Sequence, residues 1–249
     1  MTTKTRIEQA GGVLLLACVL LVPAATVQAQ TLDEIIEASL EAAGGRDAMA
    51  RITSVKRTGS STMNTPFGPI EGDTELIIIP NQKVYQSLDS EVFQQTSAWN
   101  GTAAWQSDTM QGSVDLECAQ AGNLQAQTLL HYFLPFNTPE LGQAEYRKLD
   151  DTEVEGRPHH VVGVSVGTFE IEILVDAETK MLRQVRFEMD NPDGGTVEAT
   201  LDSLAYEAFA GVMLATRTTL DIPGVVTIDT TFTTTELNVE VDHSIFEKP

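Results

Sequence analysis

The chain has 249 residues and a formal net charge of −21 at pH 7, because 36 aspartate and glutamate residues oppose 15 lysine and arginine residues. A surface this acidic repels phosphate backbones and anionic lipid headgroups, so we expect no nucleic-acid partner and no general attraction to a membrane. The length is compatible with a single β-rich domain that buries a sizeable core.

Residues 1–29 have the composition of an export signal. Lys4 and Arg6 precede an apolar run at residues 13–22, and the Val-Gln-Ala sequence that ends at Ala29 fits a cleavage site. The apolar run is shorter than the roughly 20 residues that a membrane-spanning helix needs. The sequence therefore predicts cleavage after Ala29 and an exported, periplasmic domain at residues 30–249.

Two cysteines bear on this prediction. Cys18 ends a lipobox-like segment at residues 15–18, but the chain stays apolar after it, so lipoprotein anchoring there is the weaker alternative. Once the signal is removed, Cys118 is the one cysteine left, and no internal disulfide can form. No basic residue is near Cys118 in the sequence, so we interpret it as a half-buried thiol that takes no part in chemistry.

The exported part is predicted to begin with a helix and to continue as a sheet. Thr31 and Glu34 form a T-x-x-E capping box, Gly44 and Gly45 end the helix, and a second helical turn is predicted at residues 46–52. Short alternating or β-branched runs between turn residues then favour one large antiparallel meander of about 11 strands. The predicted strands are residues 54–63, 73–79, 83–88, 92–99 and 102–107, and, after a central helix, 145–154, 159–166, 169–175, 182–189, 197–206, 212–222 and 225–239.

An amphipathic helix is predicted at residues 122–135, between the two groups of strands. Its apolar face comprises Ala126, Leu129, Leu130 and Phe133. Asn123 is a suitable cap, and Pro135 cannot continue the helix. We expect this helix to lie across the open face of a curved sheet as a lid; the alternative is an ordinary helix packed on a sheet.

The predicted strand at residues 169–175 shows most clearly that the sheet has one apolar face. One side of the strand carries Phe169, Ile171, Ile173 and Val175. The other side carries Glu170 and Glu172, and Leu174 is an exception to the alternation. If the two predicted helices do not fill the space over this face, an apolar cavity remains for a hydrophobic ligand.

Several local motifs resemble those of periplasmic proteins related to the outer-membrane lipoprotein-sorting carriers. They are residues 40–48 (LEAAGGRDA), 52–55 with Gly59, the turn and tryptophan strand at 100–105 (NGTAAW), the turns at 155–158 (EGRP) and 176–179 (DAET), and the ending at 245–249 (IFEKP). The resemblance implies an unclosed, strongly curved antiparallel half-barrel whose N-terminal and central helices plug the concave face. It also implies a non-catalytic carrier that holds acyl chains or hydrophobic partner segments.

From the apolar pattern and this resemblance we predict a monomeric periplasmic carrier of lipid or acylated lipoprotein, active in transport or as a chaperone in outer-membrane biogenesis. Envelope membrane proteins are candidate partners, and no cofactor is expected. The predicted ligand-binding residues are Phe93, Trp99, Trp105, Leu129, Phe133, Phe169, Ile171, Ile173, Phe187 and Phe232. Which alternate residues face inward is left open until strand pairing is known. The alternative function is an envelope sensor or accessory module that binds a protein segment in the same groove.

Catalytic and metal-binding motifs are weak in this sequence. Residues 163–167 match GxSxG around Ser165, but a nucleophile elbow needs a helix after the turn, and a strand is predicted there. His159 and His160 are adjacent in a predicted strand and so face opposite sides, which does not suit a metal pair. The aspartates near residues 150 and 190 lack the spacing of a calcium loop. We therefore predict no enzyme activity and no metal site.

Overall fold

The computed structural model describes residues 30–116, 121, 124, 128, 145–166, 169–190 and 195–249, and of Val166, Phe169 and Asp190 the backbone alone. The predicted signal at residues 1–29, Cys118 and most of the predicted central helix lie outside the described residues.

Two helices open the described chain, as predicted. Helix α1 spans Leu32–Ala42, and its capping box is present: the Thr31 hydroxyl accepts the backbone N–H of Glu34, whose carboxylate accepts the backbone N–H of Thr31. Helix α2 spans Arg46–Ala50. Farther along, Ala121, Leu124 and Thr128 are helical, in agreement with a helix in this part of the chain.

The rest of the described chain is one antiparallel sheet that is not closed into a barrel. Its strands are β1 (Val55–Thr65), β2 (Gly68–Ile79), β3 (Lys83–Asp89), β4 (Gln94–Trp99), β5 (Ala104–Asp108), β6 (Gly112–Leu116), β7 (Glu145–Lys148), β8 (Thr152–Val154), β9 (Arg157–Val166), β10 (Phe169–Asp176), β11 (Leu182–Asp190), β12 (Thr196–Phe209), β13 (Val212–Ile222) and β14 (Val226–Leu237). The strand order is β6-β5-β4-β3-β2-β1-β14-β13-β12-β11-β10-β9-β7, and β8 also pairs with β9. The first and last strands of the chain therefore meet in the middle of the sheet.

The predicted count of about 11 strands is too low, since the described residues form 14. The predicted strand at 145–154 is two strands, β7 and β8, because the chain between them leaves the ladder around Asp150 and Asp151. Strand β6 was not predicted. It has the sequence Gly-Ser-Val-Asp-Leu, with little apolar content, and it is a strand because its backbone pairs with β5.

One face of the sheet, called the inner face here, carries the main core. Val55, Ile78, Ile173 and Val185 belong to a single buried cluster that also contains Ile35 and Leu40 of α1. The same cluster joins Ala104 of β5 with Val162 of β9, strands at opposite ends of the sheet. The core of the inner face is therefore continuous from one end of the strand order to the other.

A backbone contact at Gly44 fixes α1 against the sheet. Gly44 has φ +115°, and a Cβ added there would lie 2.1 Å from the carbonyl oxygen of Gly211, in the β12–β13 turn. Beside it, the Met213 N–H donates to the Ala43 carbonyl at 2.9 Å. The helix end and the turn thus approach closely enough to exclude any side chain at residue 44.

The opposite, outer face has a smaller buried cluster at its β3–β5 end. A C-terminal 3-10 helix, His243–Phe246, buries Phe246 completely, and the Trp105 indole N–H donates to the Phe246 carbonyl at 2.8 Å. Trp105 alternates with Ala104, which belongs to the inner-face core. The C-terminal segment is therefore fastened across the outside of the sheet.

Candidate functional site

A cavity of about 180 Å³ lies on the inner face, toward the end of the sheet that is remote from α1. Strands from β4 at one side to β11 at the other contribute to its lining, and seven strand-to-strand steps separate these two. In a flat sheet that separation would be about 34 Å. The curl of the sheet therefore creates the cavity by bringing its two halves to face each other.

One wall of the cavity is apolar. Met63, Ile228, Leu220 and Leu201 are direct partners across β1, β14, β13 and β12, so they form a continuous row. Phe187 and Met189 of β11 extend this wall. Alternation along each strand places all six side chains on the inner face.

The other side of the cavity is mostly polar, with Leu88 of β3 as an apolar member, and its described side chains are uncharged. It contains Thr74, Gln86, Gln95 and Ser97 from β2, β3 and β4. The Gln86 amide donates to the Ser97 hydroxyl at 3.0 Å, and the Thr74 hydroxyl donates to the Ser87 carbonyl at 2.9 Å. Eight of the 15 described lining residues bear a hydroxyl or amide, and none of the 15 is acidic, basic or histidine.

A hydroxyl row separates the apolar row from the deeper core. Ser61, Thr230 and Thr218 are partners across β1, β14 and β13, and the Ser61 and Thr230 hydroxyls lie 2.9 Å apart. Ser61 and Thr218 are each 6% exposed. These side chains form a hydrogen-bonding row between the apolar row and the deeper core.

Beyond this hydroxyl row, on the side of the deeper core, the inner face holds a buried arginine. Arg57 is 1% exposed, its Cζ lies 3.6 Å from the centre of the Phe232 ring, and one of its terminal N–H groups donates to the Ala215 carbonyl. Its Nε has no hydrogen-bond partner among the described residues. Burial lowers the pKa of Arg57 from its usual value to about 9, and the nearby Tyr206 opposes this shift. Arg57 does not line the cavity, and no local sequence signal predicted its burial.

The predicted ligand-binding residues fall in different parts of the structure. Phe187 lines the cavity, while Ile171, Ile173 and Phe232 lie in the inner-face core and Trp99 packs against that core. Phe93 is in the β3–β4 turn, where its backbone bonds Ser90. Trp105 is on the outer face and does not border this cavity. Leu129, Phe133 and the Phe169 side chain lie outside the described residues.

Pattern reasoning missed most of the lining because it favoured aromatic residues. Met63, Leu201, Leu220 and Ile228 are aliphatic, and the polar half of the site consists of serine, threonine and glutamine. The alternation of side chains along each strand could have identified these lining residues. It can be used only once the partners of a strand show which alternate residues face inward.

The GxSxG serine is not part of a nucleophilic arrangement. Ser165 lies in β9, which pairs antiparallel with β10, and its hydroxyl contacts Arg147 at 3.0 Å and Glu170 at 3.2 Å. Both contacts are on the exposed outer face. His159 is buried with its Nδ1 2.8 Å from the Arg157 carbonyl, whereas His160 faces Asp151 at 3.1 Å. The two histidines thus have separate environments, as their alternation predicts.

Three exposed apolar side chains lie in turns at the end of the sheet nearest the cavity. Phe67, Val92 and Met110 occupy the β1–β2, β3–β4 and β5–β6 turns, all at the same end of the antiparallel strands. Among the helices within the described ranges, none has the length and apolarity to span a bilayer.

An unclosed antiparallel sheet that shares its core with an N-terminal helix and holds a cavity on its inner face defines the class of this protein. It has the fold of the LolA superfamily and of outer-membrane lipoprotein-sorting domains, which confirms at the level of fold the resemblance seen in the sequence. No protein-family profile matches the sequence, and no curated protein sequence matches it significantly.

Three solved structures support this assignment. A LolA superfamily protein from Nitrosomonas europaea superposes with a TM-score of 0.57 at 12% identity, covering 86% of this chain and 97% of its own. An outer-membrane lipoprotein-sorting protein domain from Vibrio parahaemolyticus gives 0.56 at 10% identity, covering 85% and 97%. A DUF1329 family protein from Desulfovibrio piger gives 0.55 at 10% identity, again covering 85% and 97%. At such identities the likeness establishes the fold alone.

Proposed function

We propose that this protein is a non-catalytic periplasmic carrier that holds the acyl chain of a lipid or lipoprotein on its inner face. The observation that carries this proposal is the continuous apolar row of Met63, Ile228, Leu220 and Leu201, which borders a cavity between the two halves of an open sheet. The fold shared with lipoprotein-sorting domains supports it.

A carrier is needed because acyl chains do not cross an aqueous compartment unshielded. Each methylene exposed to water costs about 0.8 kcal/mol, so a long chain costs on the order of 10 kcal/mol. A groove lined by aliphatic side chains recovers much of this energy without any chemical step. The export signal predicted at residues 1–29 supports a periplasmic location for this activity.

The cavity must enlarge when such a ligand binds. An engineered apolar cavity of about 150 Å³ accommodates benzene, so about 180 Å³ holds a short part of an acyl chain. An open sheet permits enlargement because its edge strands, β6 and β7, are not bonded to each other. We further propose that the helix predicted at residues 122–135 is the lid that moves.

The test is native mass spectrometry with lipid extraction on protein purified from a periplasmic fraction without detergent. Thr230→Trp would fill the cavity, and Thr231→Trp is the matched control because the next residue of β14 is exposed on the outer face. We expect a bound mass that extracts as lipid in the wild type and in the control, and its loss in Thr230→Trp.

A bare mass that remains bare after incubation with lipids or acylated peptide would overturn the carrier function. That result would favour the alternative function, in which the same groove binds a protein segment, and the search would turn to a protein partner.

A further inference from the structure

Among the described residues, the cavity combines an apolar wall with a hydrogen-bonding wall and has no charged side chain in its lining. We propose that its ligand is an amphiphile with an uncharged head rich in hydroxyl, ester or amide groups, such as a glyceride, rather than a fatty-acid anion or a cationic amphiphile. This inference rests on the proposed carrier function and specifies the chemical class of its ligand.

The polar wall provides hydrogen bonds that a purely hydrocarbon ligand would leave unused. Gln95 and Thr218 make no side-chain hydrogen bond to another described residue, and the Gln86 amide retains capacity beyond its bond to Ser97. A hydrocarbon pressed against these groups would strip their water without replacing it, at a cost of about 1–3 kcal/mol for each group left unpaired. A head with neutral donors and acceptors satisfies them.

A charged head would find no counter-ion in the described lining of this cavity. None of the 15 described lining residues is ionisable near neutral pH, and moving an ion out of water without a partner is strongly unfavourable. An anionic head is disfavoured further by the net charge of −21.

Arg57 does not supply the missing counter-ion. Its guanidinium is stacked on the Phe232 ring and donates a hydrogen bond to the Ala215 carbonyl. It lies on the core side of the hydroxyl row of Ser61 and Thr230. With 1% of its surface exposed, it is separated from the cavity by that row. A ligand anion could pair with Arg57 only by displacing this hydroxyl row.

The two walls also fix the direction of the ligand. Most of the apolar contacts are offered by β11–β14 and by Met63, with Leu88 of β3 in addition. Both glutamine amides are on β3 and β4, next to the hydroxyls of Thr74 and Ser97. We expect the hydrocarbon to lie along the apolar row and the head to face Gln86, Gln95 and Ser97.

The inference is tested by calorimetric titration of the delipidated, signal-free protein with three probes of equal chain length: monodecanoylglycerol, decanoate and decyltrimethylammonium, each below its micelle concentration at neutral pH. We expect the neutral glyceride to bind about tenfold or more tightly than either ion, the ratio that an unpaired charge in a partly hydrated site predicts.

Variants at residue 86 assign that preference to the polar wall. Gln86→Leu should weaken glyceride binding by about two- to tenfold, the loss of one hydrogen bond, and should leave the weak binding of the ions unchanged. Gln106→Leu on β5 is the matched control, because Gln106 is not in the lining. Gln86→Glu should instead shift the preference toward decyltrimethylammonium, which provides a second test should the leucine variant fold poorly.

The outcomes separate this inference from the function on which it rests. If the three probes bind equally, or decanoate binds most tightly, the carrier function stands and the neutral-head inference is overturned. If none of the three binds, the carrier function fails and the inference fails with it.

Discussion

The junction between α1 and the β12–β13 turn allows a sharp test with two adjacent glycines. Gly44 and Gly45 both have positive φ, +115° and +85°, and Gly45 combines it with an extended ψ of 156°, so alanine costs about 1–3 kcal/mol of backbone strain at either position. Their surroundings differ: a Cβ on Gly44 would lie 2.1 Å from the Gly211 oxygen, whereas on Gly45 the nearest atom is a Glu41 carboxylate oxygen at 3.8 Å. The pair therefore separates backbone strain from docking of the helix.

Gly44→Ala must push the helix end away from the turn. The shift breaks the Met213 N–H bond to the Ala43 carbonyl, worth about 0.5–1.5 kcal/mol, and loosens the packing of Leu40 and Ala43, which are buried in the core. Added to the strain, this predicts a loss of about 3–5 kcal/mol in the free energy of unfolding. Gly45→Ala should lose about 1–3 kcal/mol, from backbone strain alone.

Urea denaturation of the two variants and the wild type, followed by circular dichroism, measures both losses. Equal losses, within about 0.5 kcal/mol, would refute the reasoning, since the close approach at Gly44 would then contribute nothing to stability.

Three further predictions concern other parts of the molecule. Phe246→Ala should lose about 3–5 kcal/mol of stability and shift the Trp105 emission to the red, because it removes a fully buried ring from the outer face; unchanged emission would contradict the described contact. Burial tends to raise the pKa of Asp176, but backbone N–H bonds from Thr179 and Glu178 and the charge of Arg157 outweigh it and hold that pKa below its usual value. Asp176 thus contributes stability that is present above the unfolded pKa of 3.8 and is lost as the pH falls through the lower folded value, so the acid-induced loss of stability should be smaller in Asp176→Asn; an identical pH profile would count against this role. Ser165 should not be labelled by a fluorophosphonate, since Arg147 and Glu170 are its side-chain partners, and labelling found in the wild type but absent from Ser165→Ala would reopen the hydrolase hypothesis.

Local sequence was sufficient wherever a structure depends on neighbours along the chain. The capping box of Thr31 and Glu34 is closed by residues three apart, so its pattern predicted the start of α1. Ile171 and Ile173 are buried in the core while Glu170 is exposed, because side chains alternate along any strand. The absence of a helix after Ser165 was likewise visible as a predicted strand, and β10 follows it.

Local sequence did not determine which side of each strand faces inward. Trp105 has the character of a cavity residue, yet it lies on the outer face, since Ala98 and Trp105 pair on the face opposite Ala104. Arg57 shares its face with Val55 and Met63 and is buried there, although its charge alone suggests exposure. An alternating pattern shows which residues of a strand share a face. Which of the two faces is the inner one follows from the strands with which it pairs.

The sequence by itself thus determined the helix starts, the strand texture and, through its motifs, the resemblance to lipoprotein-sorting carriers. The tertiary structure decided the cavity. Its apolar row runs from Met63 to Leu201 through Ile228 and Leu220, and it exists because β1 pairs with β14, joining residues such as Val55 and Leu237 that are far apart in the chain. Long-range pairing and the curl of the sheet place these side chains opposite Gln86 and Ser97, and no local pattern encodes either one.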